Sequence, residues 1–420
     1  MDKHTNRLAG IDALRGLAAL LVLVYHARAD VWIGMDAFLQ QHHTWSWNPD
    51  VWLGWLTTPF RIGFLGVQLL FVLSGYCIHR NQAKLLAKGS PTKLDLRHFA
   101  MRRLFRIYPT YVAALIFNGL VMYQLLPWLA AHGHYDVALE THHSWYVFGM
   151  NLLALQNVLV PPYEGVFWSL SIEIHLYIVY PLILWVTRKY GPGRMMLVSL
   201  AAGLAHLALA LLFPAHLGVE DRSAIGLFIK GTNFAAYWFT WCAGAYVAEM
   251  QFGRAKPLRV PAWIWPALGS IGIALLVAGT FKKWNLERFQ LIAVAEFFLA
   301  AMMAAFLAWS LQPAAQKLWA SLTGRALAFV GLFSFTLYAI HSPILMTFSS
   351  LWGGKTPSMA VALLSCAAAL VVSYAFFNLV ERWTLTPPKG FFVTKVPPPA
   401  TPEHQVLHAA PVSIVDLEKQ

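Results

Sequence analysis

Charged residues are scarce in this chain. They make up 12% of its 420 residues, whereas 58% are hydrophobic. Soluble domains typically carry about 25% charged residues, so the composition excludes an ordinary soluble globular protein. Apolar runs of about 20 residues, long enough to cross a ~30 Å hydrocarbon core as helices, recur along the chain. The sequence therefore predicts an all-α fold, namely a polytopic transmembrane helical bundle.

Cysteine is equally scarce. The three cysteines lie in separate apolar runs, at Cys77, Cys242 and Cys366. An odd, scattered set excludes a disulfide framework and a cysteine-based zinc site. The histidine pairs His42-His43 and His142-His143 have no carboxylates nearby at ligand spacing. We therefore expect no metal and no bound cofactor.

The positive charge is spread between the apolar runs. The net charge is +12, but the basic residues do not form one soluble surface, which argues against a nucleic-acid partner.

The apolar runs predict about ten spans: 13–33, 62–79, 107–129, 167–187, 194–213, 227–248, 262–280, 290–311, 326–349 and 358–380. With the N-terminus inside, most of the 31 Lys and Arg residues face the cytoplasm. We therefore expect both termini to be cytoplasmic.

Two segments differ from the spans. The run 146–160 is apolar but short, which favours a re-entrant or interfacial segment over a crossing helix. Residues 383–420 contain Pro387-Pro388 and Pro397-Pro398-Pro399 and show no periodicity. We expect a membrane domain over residues 1–382 and a disordered cytoplasmic tail over 383–420.

The first span carries a polar stripe. Asp12, Arg15, His26 and Asp30 fall within about 60° of one another on a helix, and Arg15 lies ~16 Å from His26 along the axis. Ionisable residues inside a membrane are costly and usually face a bundle interior or a water-filled cavity. The alternative is that the end charges reach the interface while His26 is a hydrogen-bonded core histidine. Four aligned groups favour a functional stripe.

Five motifs resemble one family. The spacing Arg15-x10-His26 within IDALRGLAALLVLVYHA is similar to the opening signature of the acyltransferase-3 family of membrane acyltransferases. Four further segments resemble its later motifs in the same order: GVQLLFVLSGYCI (66–78) with Ser74-Gly75, Arg103-x-x-Arg106 before Ile107-Tyr108-Pro109, WSLSIEIHLYIVYPL (168–182) with Trp168, Ser169 and Glu173, and FSFTLYAIHSPIL (333–345) with His341. The resemblance covers about residues 10–382. It implies the membrane-only type, without the SGNH hydrolase-like domain of some members.

The resemblance implies a multi-pass O-acyltransferase of the inner (plasma) membrane. It would move an acyl group, expected to be acetyl, from cytoplasmic acyl-CoA to a hydroxyl of an exported or cell-surface glycan or lipid-linked saccharide. His26 would act as general base or carry the acyl group, with Glu173 beside it as acidic partner. Arg15, Arg103 and Arg106 would bind the donor phosphates. The expected supporting residues are Asp12, Ser74, Trp168, Ser169 and His341.

Other interpretations of these residues remain open. The polar stripe would also suit a transporter or flippase for a lipid-linked or polar substrate. The basic residues from Arg80 to Arg106 would also serve only to orient the chain and contact anionic lipid. Five tryptophans of the first outer loop suit either an aromatic belt or a glycan platform: Trp32, Trp45, Trp47, Trp52 and Trp55.

The predicted orientation has a direct test. In a variant without the native cysteines, we expect Trp45→Cys to react with an impermeant thiol reagent added outside intact cells. Lys93→Cys should react only after the inner face is opened, because it lies in a predicted cytoplasmic loop. The reverse labelling pattern would overturn the orientation.

Overall fold

The fold is built from helices. The computed structural model describes residues 3–32, 49–89, 94–137, 144–163, 165–212, 233–257, 260–280, 286–356 and 358–385. The helices in this part of the chain are α1 (Lys3–His26), α2 (Pro49–Leu56), α3 (Phe64–Ala87), α4 (Leu96–Leu120), α5 (Leu126–Ala131), α6 (Trp145–Leu152), α7 (Phe167–Tyr190), α8 (Pro192–Leu212), α9 (Phe234–Gln251), α10 (Ile264–Thr280), α11 (Leu286–Ser310), α12 (Pro313–Ala320), α13 (Leu322–Leu332), α14 (Ser334–Leu351), α15 (Met359–Phe376) and α16 (Arg382–Leu385). The predicted all-α bundle is confirmed.

Four short turns of other helix types extend or connect these helices. A π-helical turn, Ala27–Val31, continues α1, and a second, Val121–Leu125, joins α4 to α5. A 3₁₀ turn, Thr58–Gly63, precedes α3, and a π-helical turn, Phe377–Glu381, follows α15. These turns change the direction in which nearby side chains point without ending the helical path.

Each of the ten predicted spans corresponds to helical structure. Among the described residues, six helices are long and apolar enough to cross a membrane, and the bent pair α13–α14 would make seven. The other three predicted spans correspond to α3, α9 and α10. Helices α3 and α9 hold buried polar residues such as Gln68 and Glu249, which lie inside the bundle rather than against lipid. The count of ten remains a prediction.

Two predicted spans have different boundaries in the structure. The span predicted at 107–129 begins earlier, at Leu96, because the Asp95 side chain accepts a hydrogen bond from the backbone N–H of His98 and caps α4. Arg103 and Arg106 therefore lie on a helix and not in a loop. Their spacing of three residues places both on the same face of α4.

The span predicted at 326–349 is not one straight helix. It is divided into α13 and α14, which meet at Phe333 with a bend of 76°. Phe333 has φ −113° and ψ 19°, outside the helical range, and the Ser334 hydroxyl donates to the Gly331 carbonyl at the break. The bend lets α13 pack along α1 while α14 enters the core. The hydropathy of the segment gave no sign of the bend.

The short apolar segment after α4 is not a crossing helix. Helix α6 has only eight residues, and a non-helical stretch follows, with positive φ at Ala154 (57°) and Asn157 (67°). Three buried amide side chains form hydrogen bonds with backbone groups of this stretch and of α7. Asn151 Oδ1 accepts from Tyr163 N, Gln156 Nε2 donates to Phe167 O, and Asn157 Nδ2 donates to Trp168 O. Irregular backbone inside a membrane needs hydrogen bonds of this kind within the protein. The re-entrant or interfacial position of the segment remains a prediction.

Several sequence predictions fall outside the described residues. These are the tail beyond residue 385, Trp45 and Trp47, and the pairs His42-His43 and His142-His143. Of the other loop tryptophans, Trp52 and Trp55 are exposed, whereas Trp32 is buried. Trp32 lies under the Arg28 guanidinium, 5.7 Å from its ring centre, so this tryptophan packs inside the protein.

Glycines set the closest helix crossings. A Cβ atom on Gly75 of α3 would lie 1.9 Å from the Trp241 carbonyl oxygen, and one on Gly244 of α9 would lie 1.8 Å from that of Val72. The two helices therefore touch backbone to backbone, as small residues allow inside membranes. The same reciprocal contact joins α1 and α13 through Gly16 and Gly331. These crossings hold α1, α3 and α9 in fixed positions around the core.

The α3–α9 crossing predicts a sharp difference between two glycine variants. Gly75→Ala should lower the free energy of unfolding by about 1–3 kcal/mol or more, because the backbone must move apart. Gly149→Ala is the matched control, since a Cβ atom there meets nothing within 4 Å. Thermal unfolding in detergent measures both variants. Equal melting temperatures would contradict the close contact.

Candidate active site

An elongated cavity lies in the middle of the bundle. Its volume is about 160 Å³, and α1, α3, α4, α7 and α14 supply its walls. On α3 the lining runs from Val67 to Ile78, which spans ~16 Å along the helix axis. The cavity therefore extends along the bundle rather than across it.

Three arginines line this cavity. Arg15 of α1 and Arg103 and Arg106 of α4 contribute to its wall, and Glu173 is the one carboxylate among the described lining residues. Arg15 was expected near the cytoplasmic end of α1, so this part of the cavity is called the arginine end. The three residues predicted from separate motifs to bind one donor are thus brought together. Their excess positive charge suits an anionic group.

Arg103 is available to a ligand. Its guanidinium lies over the rings of Phe99 and Tyr177, 5.5 and 5.9 Å from their centres. It makes no ion pair within the described ranges, and its buried Nε has no hydrogen-bond partner there. The aromatic faces hold the cation in place, while its charge is not neutralised by a carboxylate.

Arg106 is held by a partner that sequence reasoning missed. Its Nη2 lies 2.9 Å from Oε1 of Glu381, a fully buried carboxylate whose Oε2 accepts hydrogen bonds from the backbone and hydroxyl of Thr336. Arg106 Nη1 also donates to the Thr384 hydroxyl at 3.3 Å. Glu381 stands just after the last apolar run, and nothing in the local sequence indicates that it pairs with α4.

Glu173 belongs to the cavity wall and not to His26. The hydroxyls of Ser74, at 3.1 Å, and Tyr177 both donate to its Oε1, and Trp241 Nε1 donates to Ser74 at 3.2 Å. The predicted contact between Glu173 and His26 is wrong. Glu173 shares the cavity with Arg15, whereas His26 lies ~16 Å further along α1.

The acidic neighbour of His26 is Asp30. His26 Nδ1 lies 3.3 Å from Asp30 Oδ2, and the two side chains are 28% and 27% exposed. Asp30 lies in the π-helical turn that follows α1. The pair resembles the Asp–His arrangement in which a carboxylate orients an imidazole and stabilises its protonated form. Both residues belong to the predicted stripe, but only the structure shows that they interact.

His341 lies against His26. The two ring centres are 5.0 Å apart with an angle of 57° between the planes. His341 is buried, and its Nδ1 lies 2.8 Å from the Tyr338 carbonyl oxygen and 3.1 Å from that of Leu337. The motif placed His341 correctly on a helix of the core, but its contact with the first helix could not be read from the sequence.

Tyr338 connects the cavity with the histidines. Its hydroxyl accepts a hydrogen bond of 2.6 Å from Ser169, and both residues line the cavity. Its ring centre is 6.0 Å from that of His341. The end of the cavity near Ser169 and Tyr338, called the histidine end, therefore lies beside the His26–His341 pair.

Of the remaining predicted residues, two have packing roles and two line the cavity. Trp168 stacks on Phe64, with ring centres 6.0 Å apart, and lies 5.4 Å from Tyr237. The Asp12 backbone is in close contact with Gly331, at the crossing of α1 and α13. Neither Trp168 nor Asp12 lines the cavity. Ser74 and Ser169 do line it, one bonded to Glu173 and the other to Tyr338.

Comparisons with known proteins identify the family of the chain. The profile of an acyltransferase domain, that of the acyltransferase-3 family, matches residues 8–378. The chain is 23% identical to peptidoglycan O-acetyltransferase OatA of Listeria monocytogenes, covering 88% of this chain and 54% of that protein. It is 24% identical to acyltransferase MdmB of Streptomyces mycarofaciens, covering 91% and 92%, and 24% identical to O-acetyltransferase OatA of Staphylococcus aureus, covering 89% and 57%. No solved structure matches the chain.

The class of protein follows from the fold and these matches. The chain is a multi-pass membrane protein with an acyltransferase domain, as predicted, and the family match favours an acyltransferase over a transporter or flippase. It belongs to the acyltransferase-3 family. It spans about half the length of the two O-acetyltransferases named OatA and nearly the whole of MdmB.

The two arginines of α4 should differ in their effect on stability. Arg106→Ala removes the ion pair of a buried carboxylate and should cost about 3 kcal/mol of unfolding free energy. Arg103→Ala breaks no ion pair and should cost much less. Thermal unfolding of the detergent-solubilised variants measures the difference. Arg106→Ala combined with Glu381→Gln should regain most of the lost stability, and a double variant no more stable than Arg106→Ala would contradict this account.

Proposed function

We propose that the protein is an O-acetyltransferase that moves an acetyl group from cytoplasmic acetyl-CoA to a hydroxyl of a cell-surface glycan. The observation that carries this proposal is one cavity with three arginines at one end and the His26–His341 pair beside the other. Such a cavity separates the binding of an anionic head group from the site of group transfer. The chain's family accounts for the transfer reaction itself.

The cavity fits part of the donor. Its volume of about 160 Å³ is smaller than the ~300–1,000 Å³ of pockets that enclose whole ligands. A narrow channel suits the extended pantetheine arm, while the nucleotide of coenzyme A would stay at the arginine end. Arg15 and Arg103 would bind the phosphates, since Arg103 has no carboxylate partner in the described part of the chain. Arg106 would add positive charge while it remains paired with Glu381.

Glu173 would act on the donor arm. One carboxylate oxygen, Oε1, is held by Ser74 and Tyr177. The hydrogen bonds that Glu173 makes with the described residues all go to Oε1, so Oε2 is left for a ligand, and Glu173 lines the cavity. The pantetheine arm has two amide N–H groups, and a carboxylate oxygen is a strong acceptor for such donors. We therefore assign Glu173 to donor positioning in place of its predicted role beside the imidazole.

His26 would act as the base. It would take the proton of the acceptor hydroxyl as the oxygen attacks the thioester carbon, and the C–S bond would then break. The proton would pass from the imidazolium to the leaving thiolate, so the reaction has no net proton change. Asp30 would stabilise the imidazolium, and general base catalysis contributes about 10²–10⁴-fold. A two-step route through an acetyl-imidazole would use the same residues.

The relatives support the acceptor class. The two OatA proteins are named as O-acetyltransferases, one of them of peptidoglycan. A glycan acceptor on the outer side would reach His26 from the end of α1 opposite Arg15. The His26 and Asp30 side chains are both about a quarter exposed, which leaves room for a hydroxyl.

Cys77 provides a natural reporter of donor binding. It lines the cavity beside the arginines and is exposed, whereas Cys242 is fully buried. We expect acetyl-CoA to protect Cys77 from maleimide in wild-type protein and equally in His26→Ala. Acetyl transfer to the cell envelope should fall by about 10²-fold or more in His26→Ala, because only the base is lost. Mass spectrometry of the labelled peptide and base-released acetate measure the two effects.

Two controls sharpen this experiment. Arg103→Ala should weaken protection by acetyl-CoA and raise the donor KM, more so at high ionic strength. Coenzyme A with its 3′-phosphate removed should protect less than the intact molecule. If acetyl-CoA at high concentration left Cys77 labelling unchanged, this cavity would not be the donor site. Transfer at the wild-type rate by His26→Ala would remove His26 from the mechanism.

A further inference from the structure

The His341 side chain carries a buried nitrogen that has no hydrogen-bond partner among the described residues. His341 is 1% exposed, and its Nε2 makes no hydrogen bond with any described residue. Buried polar atoms are nearly always paired, since an unmade hydrogen bond in a low-dielectric interior is costly. An unpaired nitrogen on a helix that also borders the cavity therefore calls for a functional explanation.

The chemical state of this nitrogen follows from its neighbours. Nδ1 of His341 faces two backbone carbonyl oxygens, those of Leu337 and Tyr338, and carbonyl oxygens only accept hydrogen bonds. Nδ1 must therefore carry the hydrogen. In the neutral ring, Nε2 is then a lone-pair acceptor, and no proton donor meets it in the resting structure. The carbonyls of α14 thus fix both the tautomer and the direction of the ring.

The neighbouring ring is His26. Its centre lies 5.0 Å from that of His341, and its Nδ1 faces Asp30. Tyr25 packs edge-on against His26 with ring centres 4.9 Å apart, and Tyr338 lies beside His341. His26 is neutral while it waits for the acceptor hydroxyl and becomes a cation when it takes the proton. A neutral imidazole held next to it would gain a hydrogen bond only in the charged state.

We propose that His341 is a positioning residue whose Nε2 lone pair accepts a hydrogen bond from the His26 imidazolium. This inference rests on the proposed function, in which His26 takes the acceptor's proton. His341 keeps its own hydrogen on Nδ1 and takes no second one. The proton stays on His26 until the thiolate leaves, so atoms and charges balance as before. The Nδ1–H of the imidazolium faces Asp30. The other N–H carries the proton taken from the acceptor, and His341 Nε2 shares it as the second acceptor of a three-centre hydrogen bond until it passes to the thiolate.

The arrangement favours the transition state selectively. An acceptor that is unpaired at rest and paired when charge develops stabilises the charged state more than the ground state, which raises kcat. Preorganised dipoles of this kind act strongly where water is excluded. If Nε2 were already hydrogen-bonded at rest, the same contact would have to be broken first, and the gain would be smaller.

Two substitutions separate this role from packing. His341→Phe keeps the ring but removes both nitrogens, so it relieves the unpaired buried acceptor. We expect a melting temperature equal to that of the wild type or higher, with kcat about 10²-fold lower. His341→Gln restores an acceptor oxygen near the Nε2 position and should recover most of kcat, although it packs less well. A purely structural role predicts the opposite order, with the phenylalanine variant more active than the glutamine variant.

The assay does not depend on the identity of the acceptor. Membrane vesicles from cells that lack the gene, supplied with each variant and labelled acetyl-CoA, report acetyl groups that mild base releases from the envelope. Protection of Cys77 by acetyl-CoA should be the same in wild type and both variants, because donor binding is untouched. If His341→Phe does not accumulate, His341→Leu takes its place as the variant without an acceptor.

The outcomes are separable. The inference is overturned if a folded variant without the acceptor transfers acetyl at a rate within about two-fold of the wild-type rate. Loss of a contact that stabilises developing charge should lower the rate far more than this. The inference is also overturned if His341→Gln is as inactive as His341→Phe, since a titrating base would then be required. If wild-type protein itself transfers no label and acetyl-CoA does not protect Cys77, the proposed function has failed, whatever the His341 variants show.

Discussion

The cost of an unpaired polar group inside a membrane governs this structure. With no water at hand, each buried donor or acceptor must find its partner within the protein. The carboxylate of Glu381 is met by Arg106 and Thr336, and Glu249 lies between His79, at 2.6 Å, and Arg254, at 2.6 Å. The contacts of Glu381, and the contact between Glu249 and His79, join distant segments of the chain. Such pairing therefore helps to fix the positions of these segments relative to one another.

Two of the buried atoms that lack a hydrogen-bond partner among the described residues lie at or beside the proposed site. The Nε of Arg103 lies at the arginine end of the cavity, and the Nε2 of His341 lies beside its histidine end. An unpaired cation and an unpaired lone pair in these positions suit an anionic ligand and a developing positive charge. Without a ligand, the same two unpaired atoms lower the stability of the folded protein.

The sequence predicted positions along each helix better than contacts between helices. The spacing of Arg15 and His26 placed them correctly on one helix, and the motifs brought Arg103 and Arg106 to the same cavity. The partner of His26 was misassigned to Glu173, because a sequence gives the depth of a residue on its own helix but not which helix faces it. Glu381 was missed for the same reason. Its partner Arg106 is far away in the chain, and no local pattern connects them.

In the proposed function, the two ends of the cavity receive the two substrates from opposite faces of the membrane. A highly charged donor would have to leave water entirely if the chemistry took place beside its phosphates, and isolated charges pay a large desolvation penalty. Because Arg15 lies ~16 Å from His26 along α1, the phosphates of the proposed donor would stay at the mouth and only its thin, neutral arm would enter. The acceptor would then need to reach the bundle from the opposite side alone. Neither substrate would have to cross the membrane, because the donor itself would bridge the length of the first helix.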